Sequence, residues 1–175
     1  VNPAKVSDEV REHLSLSGVE TMPYTSVADA VKNLHACRTM ISNKTNCAIK
    51  SLFNDGECVI MPSIAEEMKA VKNSAEIAGF HSAMLRDGVA MVTFLSRLKS
   101  EVKKGITEME VDRLLTSLRA EQELYRGLSF ATIAAYDAHG AIVHYEADEH
   151  SDVKLEPHGF ILIDSGAQYS DGTTD

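Results

Sequence analysis

Two aspartates near the end of the chain have the residue type and spacing of a metal-binding pair. Asp164 closes the apolar run 160–163, and Asp175 follows eleven positions later, beyond a glycine-containing turn. A carboxylate at the end of a buried strand is unfavourable unless a cation or hydrogen-bond donors compensate it. Carboxylates that converge on one spot suit divalent metal ions that prefer oxygen ligands. We therefore take Asp164 and Asp175 as candidate metal ligands.

The register of the predicted hairpin decides whether these two side chains can share a site. A loop centred on 169–170 makes Asp164 and Asp175 direct cross-strand partners, with Cβ atoms about 4.5–5.5 Å apart. A tight turn at 171–172 instead pairs Asp175 with Gln168 and leaves Asp164 roughly 13 Å away along the strand. Ions in a two-metal site lie about 3.5–4 Å apart, so a bimetal site requires the longer loop or a bulge.

One histidine lies in an apolar context. The run from Ala141 to Tyr145 is read as a strand, and His144 within it is more often a core residue than a catalytic one. Three other histidines, His139, His150 and His158, lie in polar, turn-like segments and are predicted on the surface. The sequence has no H-E-x-x-H, G-x-S-x-G or phosphate-binding glycine loop.

Composition excludes several classes of function. The formal net charge of −9 argues against nucleic acid or an anionic membrane as partner. Residues 146–175 hold eight acids and one base, which by itself is typical of a solvated acidic surface. No apolar run has the length of a membrane span, and we see no signal-peptide pattern. Three cysteines without a C-x-x-C pair, Cys37, Cys47 and Cys58, indicate a reducing, cytosolic setting.

The first third of the chain alternates short helical and strand patterns. The strand candidates are 39–41 and 57–60, with a helix predicted over 43–53 between them. This alternation predicts part of an α/β layer, with too few strands for a complete sheet.

After Pro62 the pattern becomes α+β. Capping boxes at Asn73 and Thr107 open two helices, and Gly105 ends the first of them. The predicted buried faces are Ile77, Phe80, Met84, Gly88, Met91, Leu95 and Leu98 in the first helix and Val111, Leu114, Leu115 and Leu118 in the second. Strands are predicted over 128–133, 141–145 and 160–169, so two long helices should pack on an antiparallel sheet.

Four segments together resemble aminopeptidase P, the Xaa-Pro aminopeptidase, a member of the pita-bread metallopeptidases. In chain order they are KAVKNSAE (69–76), LSFATI (128–133), GAIVHY (140–145) and IDSGAQYSDGTTD (163–175). The resemblance implies that residues 64–175 are the first half of a pita-bread catalytic domain. Residues 1–63 resemble, more weakly, the end of the creatinase-like domain that precedes it.

The resemblance also implies roles for residues. Asp164 and Asp175 match two ligands of a site with two divalent ions, usually Mn²⁺ and sometimes Co²⁺ or Zn²⁺, with Asp175 bridging both. His144 matches the histidine that contacts the substrate near the scissile bond. The implied reaction is attack of a metal-bridging hydroxide on the peptide bond before proline, in a cytoplasmic enzyme that is commonly a homodimer.

The sequence departs from this family in ways that leave alternatives open. Ala131 stands where proline is common and His139 where asparagine is usual. The family completes its site with a histidine and two glutamates beyond residue 175, so we expect residues 1–175 to be inactive by themselves. The alternatives are a catalytically dead pita-bread module that binds peptides or proteins, and another enzyme of this fold: prolidase, creatinase or methionine aminopeptidase. Creatinase chemistry needs no metal, so the two aspartates disfavour it.

Overall fold

The computed structural model describes residues 1–34, 38–54 and 56–175, and Cys37 lies outside them. The chain forms two compact units, Val1–Val71 and Lys72–Asp175. The domain boundary expected between residues 63 and 64 falls at the start of a helix in the first unit, and it stays a prediction. Cys47 and Cys58 are free thiols.

The first unit contains one pair of parallel strands and short helices. Its elements are α1 (Asp8–Leu16), α2 (Val27–Lys32), β1 (Thr39–Ser42), α3 (Cys47–Lys50), β2 (Cys58–Met61) and α4 (Ile64–Ala70). Strands β1 and β2 pair from Thr39↔Cys58 to Ser42↔Met61. Parallel strands need a crossover connection, and α3 lies within it. The predicted partial α/β layer is confirmed, although the helix predicted over 43–53 is limited to α3.

Two helices begin the second unit, α5 (Ser74–Lys104) and α6 (Glu108–Ala120). Both predicted capping boxes are present, with Asn73 and Glu76 on α5 and Thr107 and Glu110 on α6. Helix α5 ends at Gly105, whose φ of 89° is left-handed and therefore favours glycine. None of the helices in the described ranges is both long and apolar enough to cross a membrane.

The rest of the second unit consists of short antiparallel strands. They are β3 (Tyr125–Leu128), β4 (Ile133–Tyr136), β5 (Ile161–Asp164), β6 (Ala167–Tyr169) and β7 (Gly172–Thr173). Strands β3, β6 and β7 form one sheet in that order, and β4 pairs with β5 in another. The α+β prediction is confirmed.

Three strand predictions are wrong in detail. The segment 128–133 holds the end of β3 and the start of β4 rather than one strand, and 160–169 is interrupted between β5 and β6. The segment 141–145 is no strand, because a 3-10 helix (Asp137–Ala141) runs into a turn there. Tertiary hydrogen bonds described below hold this segment and override the strand preference of its Ile and Val.

The buried face of α6 was predicted correctly, but that of α5 only in part, because Leu98 is buried and Met91 packs against the core while other predicted residues are exposed. The core contains Ala90, Phe94, Leu98, Ile106, Val111, Leu115, Leu118, Ala134 and Leu155. In α5 the buried residues are Ala83, Asp87, Ala90, Phe94 and Leu98, whereas Ile77, Met84 and Leu95 of the predicted face are 47–53% exposed. The contact combines the small Ala83 and Ala90 with an ion-paired Asp87, residue types that the apolar spacing did not single out.

Candidate active site

The hairpin that carries the candidate metal ligands has a register that neither sequence alternative gives. Gln168 pairs with Thr173 and Tyr169 with Gly172, so the loop is centred on residues 170–171. The N–H of Thr174 donates to the carbonyl of Ala167 at 2.9 Å, which continues the same pairing.

This register places Asp175 opposite Gly166, two residues beyond Asp164. The loop centred on 169–170, which would make the two aspartates direct cross-strand partners, is therefore not formed. Residues 165–166 lie between β5 and β6, so the regular pairing of the hairpin ends before it reaches Asp164. Asp164 also ends β5, where it lies opposite Ile133 of β4.

Both aspartates are exposed at the surface of the second unit. Within the described residues, neither side chain takes part in a hydrogen bond or an ion pair. Strand β5 is only partly buried, so Asp164 does not carry the burial cost that we expected of it. The pair is thus available to an external cation without the loss of an internal partner.

The end of the hairpin is packed too closely for any residue larger than glycine at position 166. A Cβ atom there would lie 2.1 Å from the carbonyl oxygen of Thr174 and 2.3 Å from Oγ of Ser129. That hydroxyl donates to the same Thr174 oxygen at 3.0 Å, and the Ser129 N–H donates to the carbonyl of Gly166 at 3.1 Å. These contacts fix the backbone immediately before Asp175.

A buried ion pair connects the hairpin to both long helices. The side chain of Arg119 is 0% exposed, and its Nε and Nη2 donate to the Asp87 carboxylate at 2.9 and 3.0 Å. Nη2 also donates to the carbonyl of Ser165, next to Asp164, at 3.2 Å. The hydroxyl of Tyr169 donates to Asp87 at 3.0 Å, and burial together with this hydrogen bond raises the pKa of Tyr169.

The turn of the hairpin has a second connection to α5. Arg86 forms an ion pair with Asp171, and its guanidinium carbon lies 5.1 Å from the centroid of the Tyr169 ring. At that distance the cation can interact with the face of the ring. The turn is therefore held from the same helix that carries Asp87.

The predicted substrate histidine lies in a turn rather than in a strand. His144 is exposed and has a φ of 55°, in the left-handed region that non-glycine residues seldom adopt. No hydrogen bond or ion pair joins it to Asp164 or Asp175 in the described residues. The structure thus places Asp164 at the end of β5, Asp175 just after β7, and His144 in a turn on a separate segment.

Sequence reasoning missed a buried acid that holds this segment. Glu108 is 0% exposed and accepts hydrogen bonds from Tyr136 N at 2.6 Å, His139 Nδ1 at 2.9 Å and Tyr145 Oη at 2.8 Å. The surface position predicted for His139 is wrong, because its ring is half-buried and stacks on that of Tyr145 with centroids 4.5 Å apart. Burial raises the pKa of Tyr145. Glu108 was overlooked because an acid in the first turn of a helix is ordinarily explained by the helix dipole.

The residues present fit part of a metal site. No group of three or more His, Cys, Asp or Glu side chains in the described residues could hold an ion. Asp164 and Asp175 offer carboxylate oxygens, the donor type that Mn²⁺ and similar ions prefer. This donor set is chemically suitable but incomplete.

Known proteins similar to this chain share one family. The "Probable Xaa-Pro aminopeptidase P" of Verticillium alfalfae is 37% identical to this chain. The match covers 100% of this chain and 31% of that protein. The X-prolyl aminopeptidase of Caenorhabditis elegans, described as a cytosolic enzyme with a di-nuclear active site, matches with a TM-score of 0.90 and 32% identity. That match covers 99% of this chain and 30% of the other.

A more distant structure shares the fold alone. The Xaa-Pro dipeptidase of Bacillus anthracis is 22% identical, with a TM-score of 0.68 over 93% of this chain and 46% of its own.

The chain spans about a third of the length of the fungal and nematode relatives. Residues 1–76 match the creatinase/prolidase N-terminal domain, and residues 78–175 match the metallopeptidase family M24. The chain belongs to metallopeptidase family M24.

Proposed function

We propose that the complete protein is a metal-dependent aminopeptidase that releases the N-terminal residue from peptides with proline in the second position. The observation that supports the proposal is a pair of exposed carboxylates without partners in the described residues, Asp164 at the end of β5 and Asp175 just after β7. Membership of family M24 and the similarity to X-Pro aminopeptidases support the same activity.

The candidate ligands would hold two divalent ions, for which Mn²⁺ is our first choice and Co²⁺ or Zn²⁺ are alternatives. Ions in a two-metal site lie about 3.5–4 Å apart, so the proposal requires the Asp164 and Asp175 carboxylates to converge at the end of the hairpin. When bound, the ions would supply a nucleophile at neutral pH by lowering the pKa of water. Two carboxylates are too few ligands for two ions, so we expect residues 1–175 by themselves to be inactive.

The remaining chemistry falls to side chains of this chain. His144 would donate a hydrogen bond to the substrate near the scissile bond and help hold the charge that develops there. The acidic stretch 146–175 would attract the free amino group at the N-terminus of the peptide.

The experiment is hydrolysis of an Xaa-Pro-Yaa tripeptide by the complete, Mn²⁺-loaded protein, beside Asp164→Ala and a matched control. Glu123→Ala serves as the control, because Glu123 is an exposed acid with no role in the site. We expect cleavage by wild type and control and loss of both activity and bound Mn²⁺ in Asp164→Ala. Equal rates in wild type and Asp164→Ala would refute a metallopeptidase.

The same assay separates the alternatives. A prolidase-like dipeptidase would cleave the Xaa-Pro dipeptide and leave the tripeptide intact. A catalytically dead binding module would bind the tripeptide without hydrolysis.

The remaining proposals concern setting and organisation. We infer a cytoplasmic location and a homodimer for the complete protein, with a proline-containing peptide as substrate and neither nucleic acid nor membrane as partner. A domain of the creatinase type would end near residue 63, and the catalytic domain would begin at residue 64. Gel filtration of the complete protein tests the dimer.

A further inference from the structure

Segment 136–145, which contains His144, is held in a loop by hydrogen bonds to one carboxylate of helix α6, that of Glu108. Tyr136, the last residue of β4, donates its N–H to Glu108 Oε1, and Tyr145, which directly follows His144, donates its hydroxyl to Oε2. His139, between them, donates to the same carboxylate. The beginning, the middle and the end of 136–145 therefore meet at a single buried acid.

Because Glu108 is charged and buried, it requires the hydrogen-bond donors that hold segment 136–145 in its loop. The side chain of Glu108 is 0% exposed, and an ionised carboxylate in that position requires donors on both oxygens. Because a carboxylate only accepts, the contact assigns the proton of the half-buried His139 ring to Nδ1. The rings of His139 and Tyr145 stack on each other with centroids 4.5 Å apart, which joins two of the donors of the cluster.

The closure has a direct consequence for the neighbouring residue. His144 sits at a φ of 55°, which a residue with a side chain adopts only when its surroundings enforce it. The Tyr145 side chain is buried, so it fixes the backbone on the C-terminal side of His144 and leaves the histidine itself exposed. We propose that Glu108 is a positioning residue, which holds His144 in its left-handed turn, ready for the substrate, through Tyr136, His139 and Tyr145.

This inference rests on the proposed function, because it assumes that His144 contacts the peptide. The test compares Glu108→Gln with Glu110→Gln in the complete, Mn²⁺-loaded protein. Both changes remove one negative charge from the first turn of α6, but Glu110 only caps the helix through the Thr107 N–H. We expect Glu108→Gln to lower kcat by about tenfold or more at unchanged bound Mn²⁺, the effect of misplacing a catalytic contact. Glu110→Gln should leave kcat near the wild-type value.

A double-mutant cycle distinguishes positioning from a general structural effect. If Glu108 acts through His144, Glu108→Gln should have little further effect on kcat in a His144→Ala background. A full additional loss of kcat in that background would overturn the proposal, and so would an unchanged kcat in Glu108→Gln alone.

Hydrogen exchange gives a readout that does not depend on activity. Amides of 137–145 should exchange faster in Glu108→Gln than in Glu110→Gln, whereas equal protection would overturn the closure itself. If the wild-type protein fails to cleave peptides while the two variants still differ in exchange, the proposed function fails and the closure of the segment stands. Should Glu108→Gln not fold, Tyr145→Phe removes one donor and keeps the carboxylate, and it should show the same changes in kcat and exchange at smaller size.

Discussion

Replacing Asp87 by asparagine tests the Asp87–Arg119 ion pair, which connects the β6–β7 hairpin to the two long helices. Asp87 accepts hydrogen bonds from Arg119 Nε and Nη2 at 2.9 and 3.0 Å and from the Tyr169 hydroxyl at 3.0 Å. Asparagine keeps the volume, but it replaces one acceptor oxygen by an NH₂ group that faces N–H donors. The guanidinium of Arg119, which is 0% exposed, is then left without a counter-charge.

The size of the effect follows from the burial of the pair. Removing one partner of a buried ion pair typically costs about 3–5 kcal/mol, because the remaining charge stays buried and uncompensated. We expect the free energy of unfolding to fall by that amount in Asp87→Asn. Replacing both partners, as in Asp87→Leu with Arg119→Met, leaves no unpaired charge and should cost less than the single change.

Urea unfolding followed by circular dichroism measures these differences. Asp112→Asn is the matched control, because among the described residues Asp112 accepts a hydrogen bond only from Thr116 of its own helix, at 3.2 Å. That control should stay within about 0.5 kcal/mol of wild type. A loss of less than about 1 kcal/mol in Asp87→Asn, the size of an exposed ion pair, would refute the reasoning. A double variant that loses as much as the single one would refute it as well.

Three further changes probe other parts of the second unit. Gly166→Ala should lower bound Mn²⁺ without loss of helical circular dichroism, because its Cβ would lie 2.1 Å from the Thr174 carbonyl oxygen before Asp175. Gly105→Ala should lower stability to thermal unfolding by about 1–3 kcal/mol, since alanine is strained at a left-handed φ. Burial raises the folded-state pKa of Tyr145 above the unfolded value of 10.0, so stability present below pH 10.0 should be lost as pH rises towards the folded pKa. Tyr145→Phe should make that alkaline loss, measured by urea unfolding, smaller.

Local signals made the two long helices predictable from the sequence. The capping boxes at Asn73 and Thr107 and the glycine stop at Gly105 involve residues no more than four positions apart, and all three are present in the structure. The apolar spacing of α6 identified its buried face for the same reason. The candidate metal ligands were found from residue type, spacing and family resemblance, and their role as ligands stays a prediction.

Tertiary contacts decided the features that the sequence did not reveal. The hairpin register depends on the packing of Gly166 against Ser129 and Thr174, and no local pattern encodes that contact. Nor does the sequence distinguish Asp87 and Glu108 from surface acids, because their donors come from distant segments. A fully buried arginine such as Arg119 is equally hidden, since its charge normally predicts a solvent-exposed position.

The acids of the second unit divide into two kinds according to their partners. Asp87 and Glu108 are buried, and each accepts hydrogen bonds from three donor atoms, so their oxygens hold the hairpin and the segment of His144. Asp164 and Asp175 are exposed and unpaired in the described residues, so the cation that we propose for them would displace no internal partner. The buried acids lie on helices, and the exposed acids lie at or just beyond strand ends. Replacing a buried acid should therefore disturb the positions of the hairpin or of His144, whereas replacing an exposed acid should remove bound metal.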